Sequence, residues 1–219
     1  MRQTRQTGDP LLVALGVPRP ERVADELAIR ELVRLERLWR DVGEWDNVAE
    51  CFTDEAVIRT TWFEGNAKEF ALQSKVMAEH GRHSKHPIDP IYVLIDGERA
   101  LVESRAQIQN RSELDGVWFD MTQYVRFFSR VRRTEAGWRL ASFEGIYEKG
   151  TIAPVNPDDS LPFDWAEVES STTRTSYRLW AWSMSRRGYT VPDDRLGDDD
   201  PDGVQRFYAA ERAWLGGRS

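Results

Sequence analysis

The hydrophobic period of this chain changes once, and that change limits what it can fold into. Up to Gly81 apolar residues recur at helical spacing, and afterwards they alternate with polar ones. Helices first and strands afterwards predict an α+β domain rather than an alternating βαβ architecture. In the helical half, Leu27, Leu32, Leu35, Leu38, Trp39 and Val42 predict a long helix from Glu21, buried on that face and stopped by Gly43. A short helix through Trp45, Val48 and Phe52 follows, then a strand over 57–63. Phe70, Leu72, Val76 and Met77 mark a second long helix over 67–80, closed by Gly81.

In the alternating half, 91–95 and 100–111 read as a hairpin with Asp96-Gly97 at the turn. Ala100, Val102, Ser104, Ala106, Ile108 and Asn110 share one face of the second strand, and Glu103, Arg105, Gln107 and Gln109 the other. Asp115-Gly116 leads into a strand over 117–132, and Glu135-Ala136-Gly137 into a last strand over 138–148. The expectation is a twisted antiparallel meander with helices on its concave face. That domain spans 21–150, after an N-terminal arm over 1–20. From 151 to 219 a proline-punctuated extension carries helices over 170–187 and 204–214, as a lid or a dimer contact.

With 219 residues, 40% of them hydrophobic, the chain can bury a sizeable core. A net charge of −7 with basic residues scattered among acids argues against a nucleic-acid partner. No apolar run reaches bilayer length, so no membrane partner is expected. The single cysteine, Cys51, excludes an internal disulfide and reads as a small core residue. A signal-type hydrophobic segment is absent too, and together these predict a soluble, cytoplasmic protein.

Three histidines fall between 80 and 86. His83 and His86 stand three apart at a strand start, which does not put them on one side, and no cysteine accompanies them. No metal or other cofactor is therefore expected. His86 opens the sheet, and Asp41 closes the first long helix four residues before Trp45. By itself this His reads as a buried tie between helix and sheet. The segment 40–60, with Ser84-Lys85-His86-Pro87-Ile88, resembles the SnoaL-like/NTF2-like superfamily, including its scytalone-dehydratase-like and ketosteroid-isomerase-like members. The resemblance covers about 27–149 and implies a cone in which Asp41 hydrogen-bonds His86 and sets its tautomer. A His so held is a usable general base, with a pKa expected to be raised by the carboxylate.

This chain departs from the dehydratase-like pattern. A second cone-facing His falls at Asn110, an active-site Tyr at Thr60, and a Ser and an Asn at Val125 and Phe127. Strand parity then places Ile58 and Trp62 inward with Thr60, and Phe119, Met121, Gln123 and Val125 inward with Phe127. Phe143, Gly145 and Tyr147 follow on the last strand, with the Tyr147 phenol expected at the rim. The implied activity is a cofactor-independent lyase or dehydratase acting by general acid/base catalysis on a hydroxylated aromatic or polycyclic small molecule. Formaldehyde-releasing lyases of lignin-derived diaryl compounds are among the relatives this points to. The alternatives are an isomerase or polyketide cyclase, or a non-catalytic ligand-binding or dimerisation module. Gly-rich phosphate loops, Gly-x-Ser-x-Gly and His-Glu-x-x-His do not occur. Trp118, Tyr124 and Phe128 share the outward face, which predicts a homodimer through that face or the C-terminal extension.

Overall fold

The computed structural model describes residues 20–81 and 83–217, so the expected arm lies almost wholly outside the described residues. The first helix, α1, runs Pro20–Val42. Its inner face is Ile29, Val33, Glu36 and Arg37, while Leu27, Leu38 and Val42 are more than half exposed. The helix is thus rotated from the face its leucines suggest. Two charges enter the core because they neutralise each other: Glu36 and Arg37 form a buried ion pair. The Arg37 guanidinium also lies 4.5 Å from the centre of the Phe143 ring and 5.5 Å from that of Phe127. Stacking on rings suits a weakly hydrated guanidinium and offsets part of its desolvation.

Gly43 takes φ +85° and turns the chain into α2, Trp45–Glu50. The short helix stops before Phe52, which instead opens strand β1, Phe52–Arg59. Phe52 pairs with Leu140, so it is held by a strand from the far end of the domain, a contact no local pattern carries. A two-residue strand β2, Glu64–Gly65, leads to α3, Ala67–Glu79. The Asn66 side chain accepts the Glu69 N–H at 3.0 Å and caps α3. Phe70, Ala71, Ser74 and Met77 face the core, while Leu72 and Val76 face out.

Four long strands complete the cone: β3 Ile88–Asp96, β4 Arg99–Leu114, β5 Val117–Thr134 and β6 Gly137–Pro154. Because Asp96 pairs with Arg99, the first turn is Gly97-Glu98, one residue later than expected, with Gly97 at φ +57°. Along the path β2-β1-β6-β5-β4-β3 the strands are antiparallel except where β1 joins β6 in parallel, and a two-residue strand at Leu196–Gly197 also joins β6 in parallel. The curved sheet wraps α1–α3, and its inner face on β4 is the predicted one: Ala100, Val102, Ser104, Ala106, Ile108 and Asn110 are all buried.

Strand β6 breaks parity twice. Its register against β5 shifts between Phe128 and Val131 and again between Tyr124 and Val125, where Glu148 is skipped. Each bulge moves the inward set by one residue, from Leu140 to Phe143, Gly145 and Tyr147, then to Gly150 and Ile152. The strand continues to Pro154, six residues past its expected end.

Beyond it, the single helix expected over 170–187 is two: α4, Trp165–Ser170, and α5, Arg178–Ser185. The chain between them folds around Asp199, whose carboxylate accepts from the Arg174 guanidinium at 2.6 Å and the Thr175 N–H at 2.7 Å. Helix α5 inserts Leu179, Trp180, Trp182 and Met184 into the same core as the cone. Strand β7, Leu196–Gly197, then pairs with Ile146 and Tyr147. Helix α6, Pro201–Leu215, is capped by Asp200 and lies on the outer face of the sheet. There Phe207, Tyr208 and Leu215 cover Leu94, Leu101 and Phe128, and Arg130 grips Glu211 at 2.8 and 3.0 Å. Of the outward apolar residues expected to drive dimerisation, Phe128 is therefore covered by the chain itself, while Trp118 stays half exposed. No helix among the described residues is long and apolar enough to cross a membrane.

Candidate active site

The last turn of α1 delivers Asp41 to the start of β3. One carboxylate oxygen accepts from the His86 ring Nδ1 at 2.5 Å, and the other accepts the His86 backbone N–H at 2.6 Å. The flanking Lys85 donates to the Asp41 carbonyl at 2.6 Å and exchanges two backbone bonds with Gln109, each 2.9 Å. Main chain and ring are thus fixed together. With Nδ1–H spent on the carboxylate, Nε2 carries the lone pair, and Arg40 Nη1 lies 3.3 Å from it as a donor.

The electrostatics follow from this arrangement. Burial, then the adjacent Arg40 cation, push the His86 pKa down from 6.5 to about 3, outweighing the Asp41 hydrogen bond that pulls it up. The direction is opposite to the rise expected from Asp41 alone, because that expectation left out burial first and the Arg40 cation second. Burial raises the Asp41 carboxyl, but its bonds to His86 outweigh burial and leave it below the usual range. Burial and the neighbouring Arg37 lower the Arg40 guanidinium to about 10. Glu36 and Asp41 balance Arg37 and Arg40, so a neutral imidazole leaves this cluster uncharged. Protonating it would place an unmatched cation in the core.

The pairing register sets His86, Ile108 and Gln123 in one row across three strands, with Asn110 and Met121 in the next. All are buried. Both polar atoms of the Asn110 amide lack a hydrogen-bond partner, as does Gln123 Oε1. Gln123 Nε2 donates to the Ser176 carbonyl at 3.0 Å and so ties the row to the extension. Phe119 is also buried on this face. Phe127 and Phe143 meet at 4.7 Å between ring centres. Thr60 lies just past the end of β1, where its N–H donates to the Phe63 carbonyl at 2.8 Å. Trp62 rides on that turn, not on a strand, and stacks on Phe70 at 5.5 Å.

Tyr147 is not at the rim. Its ring is 1% exposed, and its oxygen accepts the Thr61 N–H at 3.1 Å. Thr61 Oγ1 in turn accepts the Trp180 indole N–H at 2.9 Å. Burial lifts the phenol to about 12, and it links the β1 turn to α5. The structure therefore gathers Asp41, His86, Ile108, Gln123 and Asn110, and draws Tyr147 into a separate buried network. Glu36, Arg37 and Arg40 were missed from sequence, although a signal existed. Once Asp41 faces inward, helical spacing puts Arg37 four residues back on the same face.

The profile of the SnoaL-like domain family matches residues 21–144, and the chain belongs to that family. Pea pathogenicity protein 2 of the fungus Fusarium vanettenii is 30% identical over 176 residues, 79% of this chain and 75% of that protein. A PEP2-like protein of the same organism is 31% identical over 209 residues, 90% of this chain and 89% of its own length. Among solved structures, the Kfla4162 protein of Kribbella flavida superposes with TM-score 0.51 at 19% identity, covering 57% of this chain and 90% of that one. A hexachlorocyclohexane dehydrochlorinase, LinA Type2, gives 0.50 at 14% identity, covering 65% of this chain and 96% of that one. These two show the shared fold.

Proposed function

We propose that the protein is a lyase working by general acid/base catalysis inside the cone, on a hydroxylated aromatic or polycyclic small molecule. The observation that carries this reading is the doubly bonded Asp41–His86 pair, which fixes a neutral imidazole with its lone pair on Nε2. In the proposed step a substrate C–H proton passes to Nε2 and the electron pair forms a C=C bond. The hydroxyl on the adjacent carbon departs as water, taking the proton back from the imidazolium. Asp41 favours that imidazolium through its Nδ1 bond, but in the substrate-free site burial and Arg40 outweigh it, so proton uptake depends on the substrate engaging Arg40.

Arg40 has a part in this step that the sequence reading did not give it. Nε2 can accept a proton only when the Arg40 N–H leaves it. A substrate oxygen that takes this N–H frees the base and is stabilised as it gains charge. Asn110, with both amide atoms uncommitted, is the further candidate for holding that oxygen. Trp62, partly exposed where Phe127 and Phe143 are buried under Arg37, is the ring left to face a flat ligand.

A second reading, a non-catalytic ligand-binding module, is favoured by one observation: α5 packs its Trp180 and Trp182 into the cone core. Turnover of a panel of hydroxylated bicyclic ketones and diaryl diols by wild type and His86→Ala distinguishes the two. The lyase reading expects a loss of about two to three orders of magnitude in the variant, the usual contribution of a general base. A variant that turns over at the wild-type rate defeats it.

A further inference from the structure

Beside the Asp41–His86 pair a recess of about 230 Å³ opens between the end of α1, the middle of α3 and the 83–84 segment. Arg40, Asp41, Trp45, Ser74, His83 and Ser84 are among its lining residues. Three observations mark it as built for something. The Arg40 guanidinium forms no carboxylate ion pair among the described residues; it rests 5.7 Å from the Phe70 ring centre and 6.0 Å from that of Trp62, with Nη1 3.3 Å from His86 Nε2, and its enclosed Nε has no hydrogen-bond partner. Ser74 is 2% exposed in mid-helix, where a serine ordinarily bonds back to the carbonyl four residues earlier, yet its hydroxyl also lacks a partner. The one acid at the recess, Asp41, has both oxygens committed to His86.

We propose that this recess is a carboxylate subsite, in which an arene carboxylate places its two oxygens on Arg40 and Ser74 and its ring beside Trp45. A guanidinium offers two parallel N–H groups that match a carboxylate, and the Ser74 hydroxyl adds a third donor. Trp45, Val42 and Ala78 give the recess an apolar side, which favours an aryl or short alkyl acid over a bare inorganic anion. The volume suits one ring, below the range of drug-sized pockets. Occupation has a consequence for the neighbouring site. A carboxylate on Arg40 draws its N–H from His86 Nε2 and neutralises the cation that holds the imidazole back from protonation. Only this consequence rests on the lyase reading; the binding itself does not.

Benzoate is the probe. Isothermal titration and amide chemical-shift mapping of the full chain should show one site, with shifts at Ser74, Ser84 and His86. Arg40→Gln should weaken benzoate about ten- to hundredfold, and Ser74→Ala about two- to tenfold, as expected for a charged and a neutral hydrogen bond. Should Arg40→Gln not fold, Arg40→Lys keeps the charge but not the fork and should still weaken benzoate measurably. Phosphate should compete poorly. No benzoate binding, equal binding by the variants, or phosphate matching benzoate overturns the assignment. Each of these is read without turnover, so a failed subsite and a failed lyase reading are distinguishable.

Discussion

Replacing His86 by Asn removes one titrating group and leaves an amide N–H within reach of the Asp41 carboxylate. The structure holds the native imidazole far below its unfolded pKa, at about 3 against 6.5. The unfolded chain therefore binds a proton near pH 6.5 that the native state refuses. The stabilisation this gives is fully present above pH 6.5 and is lost as pH falls through 6.5 toward the native value. Between about pH 7 and pH 5 the unfolded His goes from mostly neutral to almost wholly protonated, while the native His stays neutral. Integrating that difference gives a loss of roughly 2 kcal/mol, against a total stability of about 5–15 kcal/mol for a typical domain. Urea denaturation of wild type and His86→Asn at the two pH values isolates the contribution, because the carboxylates are common to both. Wild type should lose about 2 kcal/mol more than the variant. Equal losses would mean that the ring takes a proton as readily inside the fold as outside, and the charge argument built on Arg40 would be wrong.

Other outcomes follow from the same geometry. Arg40→Met should raise the native His86 pKa, visible in ring-proton NMR titration as a midpoint moving toward 6.5, since the largest opposing charge is gone. Gly203→Ala should cost about 1 kcal/mol or more in thermal or urea unfolding, because an added Cβ would fall 2.1 Å from the Asp200 carboxylate that caps α6. Ending the chain at Gly197 should expose Phe128, Leu94 and Leu101, giving dye binding or self-association that the full chain lacks. We propose a homodimer for the full chain, and light scattering at micromolar concentration checks it; a monomer mass refutes it.

Much of the fold was legible because it rests on local chemistry. Gly43 and Gly81 stop helices with positive φ, and Asp115 at φ +50° with Gly116 at φ +83° makes a two-residue hairpin turn, as their residue types suggest. Alternation alone gave the inner face of β4. The Asp41–His86 contact was reached only through the family resemblance, since helix end and strand start lie 45 residues apart. The misreadings share a cause. Leu27, Leu38 and Val42 suggested a face that tertiary packing did not use, because the true inner face of α1 carries Glu36 and Arg37, whose burial depends on each other and on rings from two distant strands. Tyr147 is buried and not at the rim because the β1 turn and the chain entering α5 close over its ring, contacts that no local pattern carries. The bulge at Glu148 is likewise set by pairing with β5, and the sequence of β6 carries no glycine or proline there to mark it.

The parallel joining of β1 to β6 bears on the order in which this chain can fold. β3 to β6 are linked by short turns and can zip up as successive hairpins, each closing a small loop. β1 must wait, since its partner in the ladder begins about 80 residues later. During synthesis α1, α2 and β1 emerge first and have no sheet to settle on until β6 has left the ribosome. Over that interval the buried pair Glu36–Arg37 stays in water at little cost, whereas a leucine stripe at those positions would stand open to aggregation. Non-local strand pairing of this kind slows folding, and because Glu36 and Arg37 take two places on the inner face of α1 beside Ile29 and Val33, less apolar surface stands open while the segment waits for β6.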